Sequence, residues 1–138
     1  MLNISRQARF AITLLFAAHV LPAGAQQTLP DYNGEELFHR FCASCHGASA
    51  RGDGPVAPYL NVPVPDLTQL SKRAGGVFPA DRVRDIVDGR AVLPAHGTRP
   101  MPVWGYELEA QIPPDEPGRE IAQTLIDRLV EYLSLIQL

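Results

Sequence analysis

The chain has 138 residues, which is enough for one domain and too few for two of ordinary size. Lys and Arg together number 12 and Asp and Glu number 15, which gives a formal net charge of -3. This mildly acidic balance provides no electrostatic basis for binding nucleic acid, so we expect no nucleic-acid partner.

The N-terminal segment has the pattern of an export signal. Arg6 and Arg9 form a basic start, the stretch from Phe10 to Leu21 is mostly apolar, and Ala23-Gly24-Ala25 is a small-residue cleavage site. An uncleaved membrane anchor is the alternative interpretation. It is disfavoured because an apolar run of about a dozen residues is well short of the roughly 20 that span a bilayer.

Cleavage after Ala25 would make Gln26 the first residue of the mature protein. We therefore predict a signal peptide over residues 1–25 and one domain over residues 26–138, located in the periplasm. We expect no stable membrane insertion after cleavage. Loss of the two signal arginines leaves the mature chain more acidic, which favours basic docking surfaces on its partners.

The first predicted helix of the mature chain begins after Asn33, a residue type that caps helix N-termini. Glu35 and Glu36 follow in the first turn, where the helix dipole favours negative charge. Apolar residues at helical spacing then predict one buried face, made of Leu37, Phe38 and Phe41.

The helix leads into Cys42-Ala43-Ser44-Cys45-His46, which contains the only two cysteines of the chain. A Cys-x-x-Cys-His sequence is the attachment motif for c-type haem. Two thiols at this spacing reach the two vinyl groups on one edge of a porphyrin, and His46 is then placed to ligate the iron. A redox-active pair or half of a zinc site is the alternative, but no second cysteine pair exists to complete a zinc site. His39 is a rival ligand that we expect to lie at the surface.

Residues 47–66 are rich in Gly and Pro, which predicts irregular structure. Asp66 can cap a short helix that ends at Gly75-Gly76. A second helix is predicted from Ala80 to Asp88, with Gly89 as its stop and an apolar face made of Val83, Ile86 and Val87.

Residues 89–117 show no convincing periodicity, and so long an irregular stretch in a compact domain usually serves a site. Met101 lies in this stretch and is the only methionine besides the initiator. A thioether is a soft ligand that raises the reduction potential of haem iron. A lone methionine is more often core filler, and His96 is an alternative ligand in the same stretch.

Three residues of the stretch are candidates for holding the haem propionates, namely Arg90, Arg99 and Trp104. A guanidinium can pair with a carboxylate at two points, and an indole N–H can donate one hydrogen bond. Alternatively, Trp104 packs against the ring and the arginines are solvated. A final helix is predicted from Gly118 to Ile136, because apolar residues recur at helical spacing over that range.

Two separated parts of the chain resemble the class I c-type cytochromes. The first is Gly34-x-x-x-Phe38-x-x-x-Cys42-x-x-Cys45-His46, and the second is Leu129-x-x-Tyr132-Leu133 in the final helix. The resemblance implies an all-α fold with four or so helices around one covalently bound haem c. It also implies that Gly34, Phe38 and Tyr132 pack where the first and last helices cross.

The same resemblance implies roles for two further residues. The carbonyl of Pro55 is expected to accept a hydrogen bond from the ring of His46, a contact that orients a ligating histidine. Met101 lies where these cytochromes place their distal ligand, which favours it over His96.

We therefore expect a periplasmic electron carrier rather than an enzyme. Its partners would be redox proteins such as a dehydrogenase, a reductase or a terminal oxidase, docking at the haem edge near Ala43, Ser44 and Met101. Two alternatives stay open: a haem subunit of a dehydrogenase or oxidase complex, and a haem peroxidase if the distal position is open.

Overall fold

A computed structural model describes residues 28–90 and 101–138. The predicted signal peptide, its cleavage site before Gln26, and the candidates His96 and Arg99 lie outside the described residues. No helix within the described ranges is both long and apolar enough to cross a bilayer.

The described residues form helices and turns without a β-strand, which confirms the all-α prediction. The helices in chain order are α1 (Gly34–Phe41), α2 (Ala43–His46), α3 (Leu70–Arg73), α4 (Ala80–Asp88), α5 (Trp104–Glu109) and α6 (Gly118–Leu135). Short 3₁₀ turns occur at Leu29–Asp31, Ala57–Tyr59 and Leu67–Gln69.

The predicted caps are present. Asn33 Oδ1 accepts from the backbone N–H of Glu36 at 3.0 Å, and the Glu36 carboxylate accepts from the N–H of Asn33 at 2.8 Å. This reciprocal pair satisfies two N–H groups that would otherwise lack a partner at the start of α1. Asp66 Oδ1 likewise accepts from the N–H of Thr68 at 2.9 Å and starts the segment that becomes α3.

Helix α6 is the centre of the packing, since α1, α4 and α5 all contact it. Its buried residues recur every three or four positions: Ala122, Leu125, Ile126, Leu129, Val130 and Leu133. Full burial of a Leu or Ile side chain contributes about 1.5–3 kcal/mol, so this one face provides much of the hydrophobic stabilisation. The helix ends one residue before the predicted Ile136.

The crossing of α1 and α6 is close because Gly34 has no side chain. A Cβ at Gly34 would collide with the backbone carbonyl of Arg128 and would lie 2.8 Å from the Cβ of Tyr132. The rings of Phe38 and Tyr132 pack with their centroids 5.5 Å apart. The guanidinium of Arg128 then donates to the carbonyls of Pro30 at 2.7 Å and Tyr32 at 2.9 Å. The packing roles expected of Gly34, Phe38 and Tyr132 are confirmed.

Helix α4 has the predicted bounds and ends at Gly89, whose φ of 71° suits glycine. Its Val83 and Val87 are buried as expected, whereas Ile86 is 41% exposed. One prediction is wrong: residues 89–117 are not irregular throughout, since α5 lies within them. Helix α5 has six residues, of which only Gly105 and Leu108 are buried. So few buried positions do not show a helical period in the sequence.

Candidate functional site

The two cysteines lie at the junction of α1 and α2, within one turn of the chain. The N–H of Cys42 donates to the Phe38 carbonyl at 2.9 Å, which completes α1. The carbonyl of Cys42 then accepts from the N–H groups of Cys45 at 3.1 Å and His46 at 2.9 Å, so the chain continues directly into α2. Both thiols are partly buried and neither is in a disulfide. The local backbone therefore presents two thiols and one imidazole from a single turn.

The ring of His46 is oriented by Pro65. Its Nδ1 lies 3.4 Å from the Pro65 carbonyl, which can only accept, so Nδ1 carries the proton of this hydrogen bond. That arrangement leaves Nε2 with the lone pair a metal requires. When one ring nitrogen ligates a metal, a hydrogen bond from the other ring nitrogen fixes the orientation of the histidine and increases its basicity.

The acceptor is Pro65 rather than the predicted Pro55. Around Pro55 the chain follows the backbone of α2, because the N–H groups of Gly54 and Val56 donate to the carbonyls of Cys45 and Ser44. The segment containing Pro65 returns to the motif later, through a hydrogen bond from Leu67 N–H to the Ala50 carbonyl at 2.7 Å.

Burial governs the protonation of both groups at the site. Desolvation lowers the pKa of His46, while the hydrogen bond to Pro65 opposes this by raising it. Desolvation, with a smaller contribution from nearby Cys45, raises the pKa of the Cys42 thiol to about 12. At neutral pH the structure therefore holds a neutral imidazole and an uncharged thiol in apolar surroundings.

Two cavities meet at these residues. The loop-side cavity, of about 240 Å³, is walled by Phe41, Cys45, Leu60, Val62, Pro63, Val64, Pro102 and Trp104. The core-side cavity, of about 140 Å³, is walled by Phe38, Leu67, Leu70, Val83, Ile86, Val87, Leu129 and Leu133. Four residues line both cavities: Cys42, His46, Pro65 and Met101.

This arrangement fits a haem. The walls are apolar, as a porphyrin face requires, and they carry two thiols of the kind that attach c-type haem and an imidazole and a thioether of the kind that ligate its iron. Ile86, which is 41% exposed, lines the core-side cavity. Within residues 28–90 and 101–138 no three His, Cys, Asp or Glu side chains gather as a site for a bare metal ion.

Two of the residues predicted to hold the haem propionates, Trp104 and Arg90, lie in the described part of the chain, and only Trp104 lines a cavity. Trp104 lies in the wall of the loop-side cavity, and its ring packs on Phe41 with centroids 5.6 Å apart. Arg90 lines neither cavity, and its guanidinium pairs with Asp88 and Glu109. Contact of either residue with a propionate stays a prediction. His39 is exposed, with its ring 3.8 Å from the Glu35 carboxylate, and it lines neither cavity.

Sequence reasoning missed Pro65 and the charged cluster around Arg90. Pro65 could have been found as the acceptor for His46 from its position, because it lies immediately before Asp66, the cap of a helix that follows the motif loop. The cluster had no signal, because Arg90 and Glu109 are 19 residues apart and meet only when α5 forms.

Comparison with known proteins is consistent with this geometry. The family model for Cytochrome c matches residues 32–134. The match spans both helices of the α1–α6 crossing and every residue that lines the two cavities. No curated protein and no solved structure matches the chain.

Proposed function

We propose that this chain, which belongs to the cytochrome c family, is a periplasmic electron carrier with His46 and Met101 as axial ligands. Members of that family bind haem c covalently and transfer electrons. Haem supplies the redox chemistry, since its iron cycles between ferrous and ferric states. The thiols of Cys42 and Cys45, at the spacing of the attachment motif, form the two covalent links.

The residues around these links tune the potential rather than transform a substrate. His46 supplies Nε2 while the Pro65 carbonyl holds Nδ1–H, and this contact fixes the ring and increases its basicity. Met101 supplies a soft sulfur that stabilises the reduced state relative to the oxidised one. The apolar walls keep water from both faces of the ring, which also raises the potential.

The observation that carries the proposal is that His46 and Met101 each line both cavities, together with Cys42. A ring attached at the cysteines would therefore have one nitrogen donor and one sulfur donor in the walls around it. If His46 and Met101 held both axial positions, the iron would have no open site for a substrate. This favours electron transfer over peroxidase chemistry, which needs an open position.

An absorption spectrum of the oxidised, haem-loaded protein tests the axial ligands. We expect the weak far-red band that iron–methionine bonding gives, and little change when carbon monoxide is added to the reduced protein. Absence of the band together with ready carbon monoxide binding would contradict the proposal and support a haem peroxidase.

Export to the periplasm is the second part of the proposal. It is supported by the basic start, the short apolar run and the Ala23-Gly24-Ala25 site of the leader. Mass analysis of the protein from a periplasmic extract should give Gln26 as the first residue. The intact chain in the membrane fraction would contradict this. Cross-linking in the same extract would identify the redox partner and show whether the protein is a free carrier or a subunit of a complex.

A further inference from the structure

A partly buried cluster of charges joins the end of α4 to α5. Arg90 lies just after α4 and its side chain is only 8% exposed. Its Nε donates to Asp88 Oδ1 at 2.8 Å, and its Nη1 donates to Glu109 Oε2 at 2.8 Å. Nη2 lies 2.7 Å from Asp88 Oδ1 without alignment for a hydrogen bond, so that contact is purely electrostatic. One guanidinium thus ties the two helices together.

The first turn of α5 packs directly against this cluster at Gly105. A Cβ at Gly105 would collide with the carboxylate of Asp88 and would lie 2.6 Å from Nε of Arg90. The guanidinium also lies 5.8 Å from the centre of the Tyr106 ring. The cluster therefore contacts α5 at its beginning through Gly105 and Tyr106, and near its end through Glu109.

The beginning of α5 determines where Met101 can lie. Trp104 is the first residue of α5 and lines the loop-side cavity, and Met101 is only three residues earlier. Three residues span at most about 10 Å, and the fixed φ of Pro102 removes further freedom. A shift of α5 relative to α4 would move the Met101 sulfur relative to His46.

We propose that Arg90 is a positioning residue for the distal ligand: it holds α5 against α4 so that Met101 is kept opposite His46. This inference rests on the proposed function, because it needs Met101 as a ligand. Removal of the guanidinium leaves the Asp88 and Glu109 carboxylates without their shared cation, and the two negative charges then push α4 and α5 apart.

The test compares Arg90→Met with Arg84→Met in the haem-loaded protein. Arg84 is a matched control, since it lies on α4 and also pairs with two carboxylates, Asp81 and Asp127, but its side chain is 44% exposed. The readouts are the far-red sulfur band, the affinity of the reduced protein for carbon monoxide, and the melting temperature. We expect Arg90→Met to lose most of the band and to bind carbon monoxide about tenfold more tightly, a coupling of ordinary size between two sites. Arg84→Met should change neither.

Three further variants separate positioning from general loss of stability. Arg90→Lys keeps a cation and should retain more of the band than Arg90→Met. Gly105→Ala perturbs the same contact from α5 and should weaken the band even if Arg90→Met fails to fold. Leu125→Ala empties a fully buried position of α6 outside both cavities, so it should lower the melting temperature and keep the band.

The outcomes are distinguishable. A wild-type protein without the band would refute Met101 ligation, and with it both the proposed function and this inference. A wild-type protein with the band, whose Arg90→Met and Gly105→Ala variants keep it, would overturn the positioning role alone. Loss of the band in Leu125→Ala as well would assign the effect to stability and would also overturn that role.

Discussion

Replacement of Gly34 by alanine tests the crossing of α1 and α6, on which the position of the Cys42 motif depends. The added Cβ would meet the backbone carbonyl of Arg128 and would lie 2.8 Å from the Cβ of Tyr132. A backbone carbonyl in the middle of a helix cannot rotate away. Helix α1 would therefore have to move outward, against the contacts of Phe38 with Tyr132 and of Arg128 with the Pro30 and Tyr32 carbonyls.

The expected magnitude follows from two opposing effects. Overpacking of a tight contact usually costs about 1–3 kcal/mol. Alanine is better than glycine in a helix interior by roughly 0.8–1.0 kcal/mol, and Gly34 lies at the first helical position, where this gain is smaller. The contact with backbone atoms puts the cost in the upper part of its range, so we expect a net loss of about 2 kcal/mol. For a domain over residues 26–138, whose unfolding entropy is about 2.1 cal/mol/K per residue, this lowers the melting temperature by roughly 8 °C.

Gly118→Ala is the matched control, because Gly118 is the first residue of α6. A Cβ there would have its nearest neighbours at 3.5–3.6 Å, which is ordinary contact. The control should be neutral or up to about 1 kcal/mol more stable, since it reduces the entropy of the unfolded chain. Thermal unfolding of both haem-loaded variants, followed by circular dichroism, gives the comparison. Equal melting temperatures for the two variants would refute the claim that the α1–α6 contact requires glycine.

Two further predictions concern the haem links and the cap at Asp66. The double variant Cys42→Ala, Cys45→Ala should lose haem staining on denaturing gels, since the attachment motif predicts that these thiols form the covalent links; full-strength staining would show that haem is not attached through them. Asp66 has a lowered pKa, mainly through its hydrogen bond from the Thr68 hydroxyl, with smaller contributions from the Thr68 N–H and nearby Arg51 and Arg73. A carboxyl with a depressed pKa stabilises the fold above its ordinary pKa, and this is lost as pH falls through the folded value. The melting temperature of wild type should therefore exceed that of Asp66→Asn at pH 6, and the difference should shrink below about pH 4. A difference that is independent of pH would contradict the role of the Asp66 charge.

Much of the fold could be predicted because its signals are local. The caps at Asn33 and Asp66 act within three residues, and α4 and α6 have long apolar faces. The haem motif is likewise contained in a single turn, so Cys42, Cys45 and His46 lie together without help from the tertiary structure.

The parts that could not be predicted depend on long-range contacts. The partner of His46 is 19 residues away, at Pro65, because the intervening loop first follows α2 and then returns. Helix α5 is short, and the ion pair of its Glu109 with Arg90 links residues that are far apart in the sequence. The sequence pattern predicted that Ile86 is part of the core, because a residue that lines the apolar core-side cavity has the same apolar character as a core residue.

The reduction potential of Met101→His tests whether Met101 is the distal ligand of an electron carrier. Either side chain would keep the iron six-coordinate, but the more basic imidazole stabilises ferric iron, whereas sulfur stabilises ferrous iron. Because axial ligands help set haem potentials over about 0.8 V, the shift should be large compared with the error of a redox titration. We expect the potential of Met101→His to be clearly lower than that of wild type. An unchanged potential would mean that Met101 is not a ligand, and His96 would be the next candidate to test.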